Sequence, residues 1–239
     1  MPQTTEFDEQ SIKDEFLNFL RYSVNSLDPQ GRVTETTTTE TYSNLNNGRF
    51  EPSNMLSYVK NVIVNSTDTL TFGEDYTIHY RDDIISGTTK QGEIELLGSY
   101  NSSDSIKFTY GEITEVDQNW IYPDFPRIDL SPSSYPRVGF NMTTSTDEYG
   151  QGGGNEYALS HDITFQVRVA ATSQARVLAI HKVLREAITQ NAKNFYNVNY
   201  ITQQDFQDLN NFQDDNSDTH FYKELQYTAP RKKEIIQYA

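Results

Sequence analysis

The chain has 239 residues, enough for one large domain or two small ones, and 13% of them are aromatic, which supplies a core although only 35% are hydrophobic. Its 34 acidic and 19 basic residues give a formal net charge of -15, which disfavours broad nucleic-acid binding because phosphate recognition needs clustered Lys and Arg. The absence of Cys excludes disulfides, thiolate metal sites and thiol catalysis.

No apolar run in the sequence approaches the ~20 residues that span a bilayer. Residues 1–7 lack the basic and then apolar plan of a signal peptide. We therefore expect a protein that is made and used without secretion and without a membrane partner. The one short basic cluster is Arg231-Lys232-Lys233.

The first predicted element is an amphipathic helix from about Phe7 to Leu27. Thr5 or Asp8 is placed to cap its N-terminus, and the Pro- and Gly-containing residues 28–31 end it. Apolar residues recur on one side of this helix at Ile12, Phe16, Phe19, Leu20 and Leu27.

Short strand-like runs separated by turn residues occupy residues 32–117. Thr34 to Thr41 is nearly all Thr and Glu, which is typical of an extended strand or of a disordered linker. The other runs are Val62–Val64, Thr69–Phe72, Tyr76–Tyr80, Glu93–Leu97 and Ile106–Tyr110. Strands at roughly ten-residue spacing predict a small all-β module.

The most informative stretch runs from Arg127 to Ile188 and reads as strand, glycine loop, strand and helix. Apolar residues alternate with polar ones before the loop and again after it, which marks two half-buried strands. These alternating apolar residues are Val138, Phe140, Met142, Ile163, Phe165, Val167 and Val169. The loop between the strands, which contains residues 147–155, is predicted to be a mobile hairpin tip.

A second helix is predicted from about Gln174 to Tyr196, with Thr172 or Ser173 as its cap. One face carries Val177, Ile180, His181, Leu184 and Ile188. A polar loop from Gln203 to Thr219 and a last strand from His220 to Tyr227 follow. The predicted fold class is α+β, a curved and mostly antiparallel sheet backed by two helices. Residues 1–31 and 118–239 form this domain, and residues 32–117 form the inserted β module.

No constellation of catalytic, metal-binding or cofactor-binding residues stands out, so we expect no enzyme and no cofactor. The four His residues are scattered, and His181 on an apolar helix face is predicted to be a core residue with a satisfied ring. Residues 214–218 begin like a calcium loop, but Thr219 and Leu225 stand where Gly and Glu are required, which predicts a solvated loop.

The order of these elements resembles that of the tail-terminator or tail-completion proteins of tailed viruses of bacteria and archaea. The resemblance covers residues 12–27 and 127–227: a first helix, a strand led by Tyr135-Pro136-Arg137-Val138, a long hairpin, an alternating strand, a helix and an aromatic strand. It rests on element order more than on invariant residues. The insertion of residues 32–117 departs from the family, whose first helix usually leads to the sheet through a short segment.

The resemblance implies a structural virion protein, assembled in the host cytoplasm, that forms a homo-oligomeric ring, commonly six-fold, at the head-proximal end of the tail tube. Such a ring ends tube polymerisation and joins the tail to the head connector, so the implied partners are further copies, the tail tube protein and the connector protein. DNA passes through the lumen without specific binding, and the net charge suggests acidic side chains there. The expected contact residues are Tyr149, Gly152, Gly153, Gly154, Asn155, Asp214 and Asp215.

Other functions stay open at this stage. One is another neck, connector or minor tail protein of the virion. A different class is a carbohydrate-binding or adhesin module, because aromatic residues stack on sugars, and this predicts an exposed aromatic platform on residues 32–117. An enzyme would need titratable residues clustered in a pocket.

Overall fold

The computed structural model describes residues 8–25, 31–80, 92–114, 121–122, 136–152, 156–198, 200–206, 210–213 and 219–237. Within these ranges only the backbone is described at 122, 147–152, 156–158, 205–206, 212–213, 219–220 and 230–237. The predicted α+β class with mostly antiparallel sheets is confirmed. The chain divides into two compact units, Asp14–Ile121, here called the β unit, and Met1–Lys13 with Tyr122–Ala239, called the hairpin unit.

Helix α1 spans Glu9–Asn25. Asp8 caps it, as predicted, because its Oδ1 accepts a hydrogen bond from the Ser11 amide at 3.0 Å and its carbonyl accepts one from the Ile12 amide at 3.3 Å. The apolar residues buried along this helix are Ile12, Phe16, Leu17, Leu20 and Val24.

The β unit is a two-sheet structure whose strands are β1 Thr34–Thr41, β2 Arg49–Phe50, β3 Met55–Val64, β4 Asp68–Thr69, β5 Tyr76–His79, β6 Glu93–Leu96 and β7 Ser105–Ile113. One sheet has the order β1-β7-β3-β4 and the other β2-β6-β5, and the described pairs are antiparallel. Both sheets supply the core, where Phe50 stacks on Phe108 with ring centroids 4.2 Å apart. Thr34–Thr41 is a strand rather than a linker, and four of the five other predicted runs lie largely in strands, but of Thr69–Phe72 only Thr69 lies in one, β4.

The hairpin unit contains β9 Arg137–Gly152, β10 Glu156–Ala171, helix α2 Gln174–Gln190, β11 Thr202–Phe206, β12 Asn210–Gln213 and β13 Thr219–Gln237. A two-residue strand, β8 Ile121–Tyr122, pairs with β9. The sheet order is β11-β13-β10-β9-β8, and β12 also pairs with β13. Its described registers are all antiparallel.

The last strand runs ten residues further than predicted, to Gln237 rather than Tyr227. Pro230 suggests a strand end because proline cannot donate to a ladder. In the structure the β10–β13 register shifts here: His161 pairs with Lys232 and Ile163 with Ala229, so two residues of β13 oppose one of β10. This bulge accommodates Pro230, and pairing resumes beyond it.

Two other boundaries were wrong. The predicted polar loop Gln203 to Thr219 overlaps β11 and contains β12; these two short edge strands are rich in Asn, Gln and Asp, which composition alone assigns to a loop. Helix α2 ends at Gln190, not Tyr196: the cap residue Asn191 leaves helical geometry, with φ -103° and ψ 11°, and its side-chain Nδ2 donates to the Ala187 carbonyl at 2.9 Å.

The division into units differs from the predicted boundaries at residues 31 and 118, because Asp14–Asn25 of α1 belongs to the β unit. The side-chain amide of Asn18 makes hydrogen bonds with the backbone N–H and the backbone carbonyl of Val59. The guanidinium of Arg21 donates to the carbonyls of Ser57 and Ile121. A polar residue on each of two successive turns thus ties α1 to β3, a contact that hydrophobic periodicity does not reveal.

Candidate assembly interface

Helix α2 packs on one part of the hairpin sheet. Its predicted apolar face is confirmed, since Val177, Ile180, His181, Leu184 and Ile188 are all buried. The His181 ring makes a hydrogen bond with the backbone of Glu224, and the Thr189 side chain lies near the Tyr227 hydroxyl. The helix therefore lies over residues 224–227 of β13 and, by register, over residues 165–168 of β10.

The sheet is much longer than the helix that covers it. Seventeen helical residues extend about 25 Å at 1.5 Å each, whereas the sixteen residues of β10 extend about 50 Å at 3.3 Å each. The bulge at His161 and Pro230 divides the covered part from the remainder. We call the remainder the distal sheet: residues 145–152, 156–162 and 230–237.

Both outer edges of the distal sheet are open in the part of the chain that the structure describes. On one side β11 and β12 pair with β13 only at Thr219–Tyr222 and Leu225–Thr228, so residues 229–237 have no outer partner strand there. On the other side only the two-residue β8 pairs with β9 among the described strands. An open edge presents unpaired backbone donors and acceptors, which is a template for pairing with another chain.

The expected contact residues fall partly on this distal sheet. Tyr149 lies opposite Ala158 and Gly152 lies opposite Glu156 in the β9–β10 register. The other five, Gly153, Gly154, Asn155, Asp214 and Asp215, lie outside the described residues, as does the calcium-like segment 214–218.

Several residues of this sheet received no role from sequence reasoning. Asp147 and Glu148 stand on β9, and the basic cluster, noted earlier only as a cluster, stands on β13 at residues 231–233. The strand register shows that these residues lie at the same level of the sheet, and that register depends on a bulge that could not be predicted from the sequence.

The base of the distal sheet is held by a polar pair. His161 is buried and pairs across the strands with Thr146, whose Oγ1 lies 3.0 Å from the His161 Nδ1. At the start of α1, Thr144 Oγ1 donates to Glu9 Oε2 at 3.4 Å. These contacts fix the point from which the longer strands extend.

The electrostatics beneath α2 are dominated by a buried imidazole. Burial, reinforced by the positive charges of Lys223 and Arg185, lowers the pKa of His181 to about 4, so its ring is neutral at pH 7. Nε2 of this ring has no hydrogen-bond partner among the described residues, so the bond to Glu224 uses Nδ1. The prediction of a core histidine is confirmed, but only one ring nitrogen is satisfied.

A neighbouring ion pair joins β10 to β13. The Arg168 guanidinium bonds the carboxylate of Glu224, its partner in the register, and lies 5.2 Å from the ring centroid of Tyr222. This pair and the His181 contact meet at Glu224, which locks the covered half of the sheet to the helix.

The β unit carries a second charged network. Arg49 bridges Glu93 at 2.9 Å and Glu95 at 3.1 Å, and His79 Nε2 lies 2.8 Å from the other Glu95 oxygen. The hydrogen bond from His79, followed by that from Arg49, lowers the pKa of Glu95. Cross-strand ion pairs of this kind stabilise β2, β5 and β6.

Aromatic side chains of the β unit are mostly committed to its core. Tyr42 and Tyr100 form a tilted pair, with centroids 5.4 Å apart and planes at 52°, and both pack partly buried on the core cluster. Leu97 is 50% exposed nearby in the sequence. This pair is the starting point for any test of the carbohydrate-binding alternative.

Within the residues described, no group of three or more His, Asp or Glu side chains is arranged to hold a metal ion. No described helix is both long and apolar enough to cross a membrane. Comparison with protein-family models gives no match, and comparison with curated proteins gives none either.

Proposed function

We propose that this chain is a structural subunit that works by assembling with copies of itself. The single observation that supports this is the distal sheet, three long strands that extend beyond helix α2 and carry an open edge on each side in the described chain. An isolated soluble domain gains nothing from long unprotected edges, which invite uncontrolled pairing. A subunit whose edges are covered by its neighbours gains a continuous sheet.

The two edges belong to different strands, so contact between them is heterologous. Repeated heterologous contact generates a ring when the rotation closes. Together with the element order of residues 12–27 and 127–227, this favours a particular assembly. The chain forms a ring, six-fold by the family resemblance, at the head-proximal end of a viral tail tube.

In that position the ring ends tube polymerisation and meets the tail tube protein on one face and the head connector protein on the other. DNA passes through its lumen, and the charge of -15 favours an acidic lumen that lets DNA slide without binding. Another neck, connector or minor tail role in the virion shares the same assembly and differs in its position in the particle.

The test is the mass of the purified full-length chain, followed by electron microscopy of the species found and of particles labelled with an antibody to the chain. Native mass spectrometry is expected to give a closed oligomer, and the label is expected at the head–tail junction. A monomer at every concentration, with a small molecule bound in a cleft, overturns the proposal. A ring labelled elsewhere in the particle leaves assembly standing and overturns the terminator role.

A further inference from the structure

We propose that successive copies are joined by a parallel β seam, in which the distal part of β13 of one copy pairs with β9 of the next. This proposal depends on the proposed ring. Each open edge of the distal sheet is covered by the opposite edge of a second copy of this chain.

The relative direction of the two strands that meet in the seam follows from the fact that one strand, β10, lies between β9 and β13 in each copy. Both β9 and β13 are antiparallel to β10, so they are parallel to each other. If the next copy continues the sheet through ring symmetry, its β9 keeps the direction of the first β9 and therefore runs parallel to the adjoining β13. A two-fold β9–β9 contact, in contrast, pairs the strands antiparallel.

The two edge strands carry residues of opposite formal charge on the same rungs of the sheet. Ser160 of β10 pairs with Asp147 on one side and with Lys233 on the other, and the next rung joins Thr146, His161 and Lys232. Each copy therefore carries acidic residues 147–148 on its β9 edge and basic residues 231–233 on its β13 edge.

In a chain with a net charge of -15, copies repel one another on average. An acidic edge meeting a basic edge is favourable, whereas two β9 edges bring like charges together. The charge pattern thus selects the head-to-tail contact and disfavours the two-fold one.

Lysines on an edge strand also have a purely protective role, since they discourage strand pairing in many proteins. The two roles predict opposite results when the lysines are removed. Protective lysines hold copies apart, so their removal promotes association, whereas seam lysines hold copies together, so their removal weakens the ring.

Cysteine pairs test the seam directly because the native chain has no Cys. Asp147→Cys is combined in turn with Arg231→Cys, Lys232→Cys and Lys233→Cys in the full-length chain, and the rings are oxidised. Asp147 and Lys233 of one copy are two strand spacings apart, about 10 Å, which exceeds the Cα separation of a disulfide and so excludes bridging within a copy.

We expect at least one of the three pairs to give a ladder of covalent oligomers, while Asp147→Cys alone stays uncross-linked. Rings in which none of the pairs cross-links overturn the seam and leave the proposed function standing, as does a covalent dimer formed by Asp147→Cys alone. A chain that is monomeric throughout overturns both.

Charge reversal provides an independent readout. Lys232→Glu with Lys233→Glu is expected to reduce the ring fraction at least about tenfold, and adding Asp147→Lys with Glu148→Lys is expected to restore it. Lys182→Glu with Lys193→Glu, two exposed positions off the sheet, makes the same change in net charge and is the matched control. Equal losses in the test and control pairs, or stronger association after Lys232→Ser with Lys233→Ser, overturn the proposal.

Discussion

The ring of Tyr58 lies directly against Gly111, its partner in the β3–β7 register. A Cβ at Gly111 would stand 2.2 Å from Cε1 and 2.6 Å from Cδ1 of that ring. The Tyr58 side chain is fully buried, and its hydroxyl accepts from Asn25 at 2.9 Å and donates to Glu35 at 3.3 Å. Burial and the charge of Glu35 raise the pKa of this hydroxyl to about 12. The Tyr58 side chain is therefore fixed by the hydrogen bonds of its hydroxyl and by the contact of its aromatic ring with Gly111.

Gly111→Ala is expected to lower the free energy of unfolding by about 2–3 kcal/mol, the cost of forcing a methyl group into a filled core. Denaturant unfolding of the full-length variant measures it. The double variant Gly111→Ala with Tyr58→Leu separates the cause, because the alanine should cost much less once the ring is gone. An equal cost in both backgrounds would show that backbone preference, not the ring, requires glycine.

Asn18 clamps helix α1 to β3. Its Oδ1 accepts from the Val59 amide at 2.6 Å and from the Tyr80 hydroxyl at 2.7 Å, and its Nδ2 donates to the Val59 carbonyl at 3.1 Å. Asn18→Ala leaves a buried amide and carbonyl unpaired, so we expect a loss of about 2–4 kcal/mol in unfolding free energy. Asn194→Ala removes one exposed side-chain bond and is the matched control, with an expected loss below about 0.5 kcal/mol. Similar losses in the two variants would contradict the clamp.

Sequence patterns predicted those parts of the fold in which one face is buried. The alternation around Phe165 and the helical spacing around Leu184 follow directly from burial, and both residues are fully buried. Sequence patterns did not predict the features of the fold that are determined by polar contacts or by backbone geometry. The bulge at Pro230, the clamp at Asn18 and the glycine beneath Tyr58 each depend on a partner distant in sequence, so local composition carries no signal for them.

The same reason limited prediction of the candidate interface. Tyr149 was singled out because it stands in a glycine-rich hairpin, which is a local signal. Lys233 was not, although it occupies the opposite edge on the rung of Asp147, because that relation exists only once β13 is known to continue past its proline. Edge positions are properties of a sheet rather than of a segment.

His181 makes stability depend on pH below neutrality. Its pKa is lowered to about 4 in the folded chain by burial and by the nearby charges of Lys223 and Arg185, whereas the unfolded side chain titrates near 6.5. As pH falls from 6.5 toward 4, the unfolded chain takes up a proton that the folded chain does not. The stabilisation is therefore complete above pH 6.5 and is lost on acidification, by about 3 kcal/mol in total.

His181→Asn keeps a donor near the Nδ1 position for the Glu224 backbone and cannot titrate in this range. We expect the variant to lose the decline in unfolding free energy between pH 6.5 and 5, a window above the titration of ordinary carboxylates. Denaturant unfolding at three pH values in both proteins measures the difference. Parallel pH profiles would show that His181 is not the group responsible.

Shortening the hairpin tests whether the distal sheet serves assembly rather than folding. Asp147 and Ser160 are paired, so replacing residues 148–159 by Asn-Gly closes the strands with a two-residue turn. Because α2 covers residues 165–168 and 224–227, we expect this variant to keep its circular dichroism spectrum and its cooperative unfolding while remaining monomeric by native mass spectrometry. A matched variant that exchanges residues 148–159 for an equally long, uncharged hairpin keeps the strand length and removes only the charges of Glu148 and Glu156. Rings formed by the shortened chain would place the self-association surface elsewhere, and loss of folding would show that the distal strands belong to the structural core.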